Sequence, residues 1–360
     1  MKSKKILFVH KDFVTSGGVE RVTLNLANQF REDGHKVSFF ISSSLTEQEV
    51  EIINDFDYVT ATGGFFAKVR KLSSFIERGK FDVVVGAKEQ ANILIWACYL
   101  KNRRFTPVLA RHCAFDVSDQ KLSPRMLKLL YNVYAASGIK IVSVSKALQD
   151  YIRDNTFFNK SKVSYCPNPV VSDKIYHLAQ NNTENFQFNE PYYCSVGRLC
   201  EQKGFDLLLH AYAQAKQQNP ELPKLVIVGE GPDKESLEAL SRSLGLEGNV
   251  FFAGFNRNPY FIMKHSEGFI LSSRHEGLPT VLIEALALQS AIVSFDCPTG
   301  PKEILKQGEL GYLVENGNVD ALARSIVKAY KAPIKYAATA ASEYGYKVAA
   351  EQYYKVFSGA

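Results

Sequence analysis

Short apolar runs rich in Val, Ile and Phe alternate with longer stretches of helical period along this chain, and the pattern occurs twice. The runs in the first half are 5–10, 36–41, 83–86, 107–110, 140–144 and 163–166. Those in the second half are 192–196, 224–228, 249–253, 268–271, 291–295 and 312–314. Runs this short and this continuously apolar suit strands covered on both faces, with the intervening helices as crossovers. Such alternation predicts an α/β fold with a parallel, doubly wound sheet. Its repetition predicts two Rossmann-like domains facing a central cleft, with ligands at the carboxyl ends of the strands. The expected domains are 1–170 and 190–342. Between them, the polar stretch 167–191 reads as a linker, least structured at 181–185. The segment 343–357 is helical and either ends the second domain or packs back on the first.

The 360 residues are enough for two domains of roughly 150 residues. No apolar run reaches the roughly 18 residues that would span a bilayer. The basic start Met1 to Lys5 leads into only four apolar residues before His10, Lys11 and Asp12, which reads as a first strand rather than a signal peptide. The six cysteines stand singly, with no CxxC pair or zinc spacing. A cytosolic protein without structural disulfides is expected. The net charge of +6 is uneven: 26 Lys/Arg face 17 Asp/Glu in residues 1–180, and 17 face 20 beyond, so the halves carry +9 and −3. An anionic partner is expected on the first half. No aromatic-and-basic recognition module accompanies the charge, so a nucleic acid is not expected.

Several segments bear on chemistry. Glu276 and Glu284 lie eight positions apart, separated by Gly277 and Pro279, with a helix starting near Thr280. That spacing puts one carboxylate on a loop after a strand and the other in the second turn of the next helix, with the helix N-terminus between them. A ligand with an anionic end and a hydroxyl-rich end suits it. Gly197, Arg198 and Lys203 follow the strand 192–196 and precede the helix 205–218; two cations beside a helix start suit a diphosphate. The glycines at 229 and 231 make a weak Gly-x-Gly turn, short of the dinucleotide fingerprint. Gly17 and Gly18 open a helix near Val19, either as a phosphate-touching turn or as a turn capped by Ser16. His112 follows a strand, where a histidine serves as a hydrogen-bonding group or as a structural one. Asp55 and Asp57 form a DxD ahead of a strand at 58–62, so they read as exposed loop rather than metal ligands. Two helical stretches mix aromatic and basic residues: 65–78, and 121–134 with Lys121, Arg125 and Lys128 on one side. Both fit an anionic membrane surface or a solvated basic face.

Taken together, the Glu276-x7-Glu284 spacing, the Gly197-Arg198-x4-Lys203 loop, the Gly17-Gly18 turn, Val144-Ser145 and Asn168-Pro169-Val170 resemble the family-4 retaining glycosyltransferases of the GT-B fold. The segment from Asp296 to Glu303 further resembles bacterial members that build lipopolysaccharide, capsule and lipid-linked glycans. The resemblance covers nearly the whole chain. It implies that Arg198 and Lys203 grip the donor diphosphate, helped by Gly17, Gly18 and the backbone amides of Thr280 and Val281. Glu284 would bind the ribose, and Gly254, Phe255 and Asn256 would border the base. Glu276, with Gly277 and Leu278, would meet the donor sugar near its 3- and 4-hydroxyls, and His112 near its 6-hydroxyl beside the reacting carbon; Glu276 and His112 are the implied catalytic residues. The implied reaction is transfer of a hexose or N-acetylhexosamine from a UDP-sugar, without metal or other cofactor, to a glycolipid or lipid-linked glycan at the inner face of the cytoplasmic membrane. The competing readings are a sugar-nucleotide 2-epimerase of the same architecture and a non-catalytic sugar-nucleotide-binding subunit.

Overall fold

The computed structural model describes residues 2–13, 17–115 and 122–359. The chain forms two compact units, Met1–Pro169 with Tyr346–Ala360, and Val170–Gly345. In the first unit the strands are β1 (Lys5–His10), β2 (Lys36–Ile41), β3 (Asp57–Thr60), β4 (Val83–Gly86), β5 (Thr106–Arg111), β6 (Lys140–Ser143) and β7 (Val163–Tyr165). They form one parallel sheet in the order β3-β2-β1-β4-β5-β6-β7. In the second unit β8 (Tyr192–Val196), β9 (Lys224–Val228), β10 (Val250–Gly254), β11 (Gly268–Leu271), β12 (Ile292–Asp296) and β13 (Tyr312–Glu315) form a parallel sheet ordered β10-β9-β8-β11-β12-β13.

Both sheets are doubly wound. The order reverses between β1 and β4 in the first and between β8 and β11 in the second. At such a reversal the two connections leave in opposite directions and open a crevice at the carboxyl ends of the strands. The central strands have to be apolar on both sides, and they are: all four residues of β4 and of β11 are buried. Expected and observed strands differ by at most two residues at each end, because their β-branched cores set position while the fraying ends do not.

The first core is aromatic. Phe30, on the helix Gly18–Glu32, meets Phe8 of β1 at 6.1 Å and Phe357 at 5.6 Å between ring centroids. Phe357 belongs to the last helix, Tyr346–Ser358, whose Tyr353 also packs on Phe30. That helix returns to the first unit; Tyr354 Oη donates to Asp33 at 2.5 Å. The stretch 167–191 is not a plain linker. It contains the helix Asp173–Gln180, with Ile175 and Ala179 buried, and the second unit starts at Val170. Asn258 pins this helix by donating to the carbonyls of Leu178 and Asn181. Two apolar residues four apart seat one face of a helix even within polar surroundings. Asp57 opens β3, with Asp55 exposed just before it. All six cysteines are free thiols. Among the described residues no helix is long and apolar enough to cross a membrane.

Replacing Phe357 by Ala should cost about 3–5 kcal/mol, the usual range for deleting a buried aromatic side chain. Urea unfolding combined with hydrogen exchange in β1 and β2 checks this; protection lost only in the second unit would contradict it.

Candidate functional site

The reversal point of the second sheet is built by two loops that are tied together. The loop after β8 runs through Gly197 and Arg198 to a short 3-10 turn, Glu201–Lys203. Gly204 then starts the helix Phe205–Gln218 with φ at +62°. A Cβ at Gly204 would lie 2.1 Å from the carbonyl oxygen of Ser272, in the loop after β11. Only glycine combines that dihedral with that approach. Hydrogen bonds follow across the junction. Arg274 N donates to Gln202 O at 2.8 Å, Gln202 Nε2 to His275 O at 3.0 Å, and Ser272 Oγ to Lys203 O at 3.0 Å. The Arg274 guanidinium grips Asp206 with two bonds of 2.8 and 2.7 Å, which holds the Asp206 carboxyl below its usual range.

Within this frame Lys203 and Glu276 come together. Lys203 Nζ lies 2.6 Å from Glu276 Oε1, and the buried Ser273 hydroxyl donates to the same oxygen at 2.7 Å. Thr299 Oγ1 lies 2.6 Å from the backbone carbonyl oxygen of Glu276 and 2.9 Å from that of Gly277. Burial raises the neighbouring Cys297 thiol, and the Glu276 carboxylate raises it further, so it stays protonated. The helix Thr280–Ala287 starts directly after Pro279, which supplies no capping side chain. Thr280 and Val281 form its first turn, and Glu284 lies in its second, 1% exposed. Leu278 is buried. Arg198 stands exposed on its loop. Gly254 ends β10 and accepts from Gly229 N through its carbonyl; Phe255 is exposed beside it, and Asn256 Oδ1 accepts from Asn258 N.

The first unit gathers a second set at its own reversal point. His10 ends β1 and Lys88 follows β4. Lys88 pairs with Glu20, which is 3% exposed, and with Asp12 at 3.4 Å. Burial works against the Lys88 ammonium, but the attraction of Glu20 and Asp12 outweighs it and raises its pKa. The Thr23 hydroxyl donates to Val19 O, so it accepts from His10 Nε2 and fixes that tautomer. Burial, the Lys88 charge and His112 push His10 down to about 3. His112 follows β5; burial, Arg111 and Lys88 push it down to about 4. His112 Nε2 is buried, with no hydrogen-bond partner among the described residues. Arg111 is paired with Glu89 at 3.3 Å.

Sequence reasoning missed His10, Asp12, Glu20 and Lys88, as well as Ser273 and Thr299. The available signal was charged residues directly after two continuously apolar strands. Gly17 occupies the N-cap of the helix Gly18–Glu32 with φ at −80°. A Cβ at Gly18 would meet nothing within 4 Å, so the local fold does not demand glycine there. Ser16 lies outside the described residues. Arg125 and Lys128 are exposed on the helix Pro124–Ala136; Lys121 lies outside the described residues.

The sequence pattern of the group 1 glycosyl transferases matches residues 179–348, and that of glycosyltransferase family 4 matches residues 16–174. The chain is a family-4 glycosyltransferase. Its fold is GT-B. This glycosyltransferase is 27% identical over 331 residues to an uncharacterized glycosyltransferase of Haemophilus influenzae, covering 90% of this chain and 89% of that one. It is 26% identical over 329 residues to a Campylobacter jejuni enzyme, covering 87% and 85%. That enzyme is the GalNAc-alpha-(1->4)-GalNAc-alpha-(1->3)-diNAcBac-PP-undecaprenol alpha-1,4-N-acetyl-D-galactosaminyltransferase. HepE of Anabaena, crystallised with UDP, superposes with a TM-score of 0.81 at 19% identity, over 99% of this chain and 100% of that one, and so shares the fold.

The depressed His10 and His112 set a pH dependence. An unfolded histidine titrates near 6.5, whereas folded His112 titrates near 4 and folded His10 near 3. Between those values the unfolded chain binds more protons, so stability rises with pH through that window. The unfolding free energy of the glycosyltransferase should fall as pH drops from about 6.5 toward 4, and His10→Gln should flatten the decline. Denaturation at a series of pH values, with the imidazole carbon signals followed by NMR, tests it; an imidazolium signal from either ring at pH 6 would contradict it.

Proposed function

We propose that this enzyme transfers a hexose or N-acetylhexosamine from a UDP-sugar, with retention of anomeric configuration, to a lipid-linked glycan or lipopolysaccharide acceptor. The observation that carries the reading is the Lys203–Glu276 contact at the reversal point of the second sheet, beside the start of the helix Thr280–Ala287. Cation, carboxylate and helix N-terminus lie within one pair of loops, as a ligand with a diphosphate joined to a sugar requires.

The roles are those the family resemblance implies, and the charges at these positions agree with them. Arg198 and Lys203 take the diphosphate, with the amides at Thr280 and Val281. Glu284 takes the ribose hydroxyls, and Gly254, Phe255 and Asn256 border the base. Glu276, Gly277 and Leu278 meet the donor sugar. Cleavage of the sugar–phosphate bond puts negative charge on the departing diphosphate, and fixed cations stabilise it as it forms. The departing phosphate takes the acceptor proton on the face where the new bond forms, which retains configuration. Arg198 and Lys203 supply the positive charge that a metal ion gives in other transferases, so the reaction runs without one. The UDP complex of HepE supports the choice of nucleotide, and the Campylobacter jejuni enzyme's undecaprenol-linked acceptor supports the choice of acceptor.

The acceptor places the enzyme peripherally on the inner face of the cytoplasmic membrane. The helix Pro124–Ala136 carries Arg125, Lys128 and the exposed Met126 and Leu129. Phe157, 83% exposed, is fixed beside that helix by its backbone N–H, which donates to Asn132 Oδ1 at 2.7 Å. On the helix Phe65–Gly79, Phe66 is 85% exposed near Lys68 and Arg70. Each cation near an anionic surface adds about 1 kcal/mol.

Lys203→Ala should weaken UDP binding by roughly tenfold or more in calorimetry, as expected for loss of a charge-assisted contact, and Glu276→Ala should lower turnover about a hundredfold or more. Wild-type values in both would sink the site assignment. Separately, Arg125→Glu with Lys128→Glu should reduce co-sedimentation with phosphatidylglycerol vesicles by roughly tenfold or more; unchanged partitioning would move the membrane contact elsewhere.

A further inference from the structure

Two donors converge on one oxygen of Glu276. Lys203 Nζ and Ser273 Oγ lie 2.6 and 2.7 Å from Oε1. Ser273 is 1% exposed, the Glu276 side chain 9% and the Lys203 side chain 20%. The backbone on both sides is pinned, by Thr299 at Glu276 O and Gly277 O and by Ser272 at Lys203 O. Among the described residues none hydrogen-bonds Oε2. One carboxylate oxygen is thus committed to the protein and the other remains for a ligand.

A largely buried ammonium is costly without a counter-ion, and breaking such a pair leaves the remaining charge exposed to that cost. Glu276 is the only described carboxylate within salt-bridge distance of Lys203. We propose that Glu276 stands in for the donor diphosphate until the donor binds, that Lys203 then turns from Glu276 to the diphosphate, and that Ser273 is the positioning residue that keeps the carboxylate in place after Lys203 leaves. This rests on the reading that Lys203 meets the diphosphate. The exchange has a thermodynamic consequence. Part of the attraction between Lys203 and the nucleotide is spent on separating the ion pair, and the carboxylate also repels the incoming anion. A neutral group of the same shape at 276 removes both effects. Ser273 carries no charge, so its loss leaves the nucleotide unaffected and disturbs only the aim of Oε2.

Calorimetry with UDP and steady-state transfer assays on the full chain separate these roles. Glu276→Gln should bind UDP about tenfold tighter, a change of about 1.4 kcal/mol, while transfer is lost; Glu276→Ala should show the same direction if the Gln variant does not fold. Ser273→Ala should keep wild-type UDP affinity and donor KM but lose roughly tenfold in kcat, the scale of one lost hydrogen bond, with Ser273→Thr restoring most of it. If Lys203→Ala loses UDP and Glu276→Gln does not gain it, the exchange is overturned while the diphosphate reading stands. If Lys203→Ala binds UDP like wild type, both fall. Wild-type kcat in Ser273→Ala removes the positioning role.

Discussion

The left-handed turn at Gly204 lets two loops touch, and the chemistry at the end of the second sheet depends on that contact. With φ at +62° and the Ser272 carbonyl where a Cβ would be, the backbone after β8 lies directly on the backbone after β11. Gly229 repeats the arrangement one connection away, with φ at +148° and the Gly197 carbonyl oxygen 1.9 Å from where its Cβ would stand. Each close approach lets a carbonyl or an amide find its partner on the neighbouring loop instead of in water. Lys203 is carried by the first loop and Glu276 by the second, so their 2.6 Å contact comes from backbone packing rather than from a chance meeting of long side chains. An exposed Lys–Glu pair has to order two flexible side chains and gains little. Here both side chains leave from anchored backbone, and much of that ordering is done by the fold.

The doubly wound fold was legible because buried parallel strands leave continuous apolar runs, and β1, β2, β4, β8, β9 and β11 were bounded to the residue. The Glu276–Glu284 spacing was legible for a related reason: Pro279 ends the loop, and a helix starting at Thr280 puts Glu284 in its second turn. What stayed hidden depends on pairing between segments far apart in the chain. The Lys203–Glu276 pair spans 73 positions and the Lys88–Glu20 pair 68, and no local period encodes either. Ser273 looked like one more small residue after a strand, and only its distance to Oε1 gives it a role. The helix Asp173–Gln180 was read as linker because polar, Asn- and Pro-rich segments flank it on both sides; its seat against Asn258 comes from 80 positions later.

Each sheet places a lysine at its reversal point, and their surroundings set them to different work. Lys88 has two carboxylates, Glu20 and Asp12, and both attractions raise its pKa against burial. Asp12 is shared with Lys11, but an incoming anion would still have to displace two partners of Lys88. Burial above all, with the Lys88 charge adding to it, holds His10 and His112 in the neutral form, in which an imidazole both donates and accepts. Lys203 has a single carboxylate, and Arg198, exposed on the same loop, has none within salt-bridge distance among the described residues. An anion that enters the second reversal point therefore meets one exposed cation and one lysine with a single partner to displace. The two lysines thus differ in how many carboxylates an arriving anion would have to displace, two at Lys88 and one at Lys203.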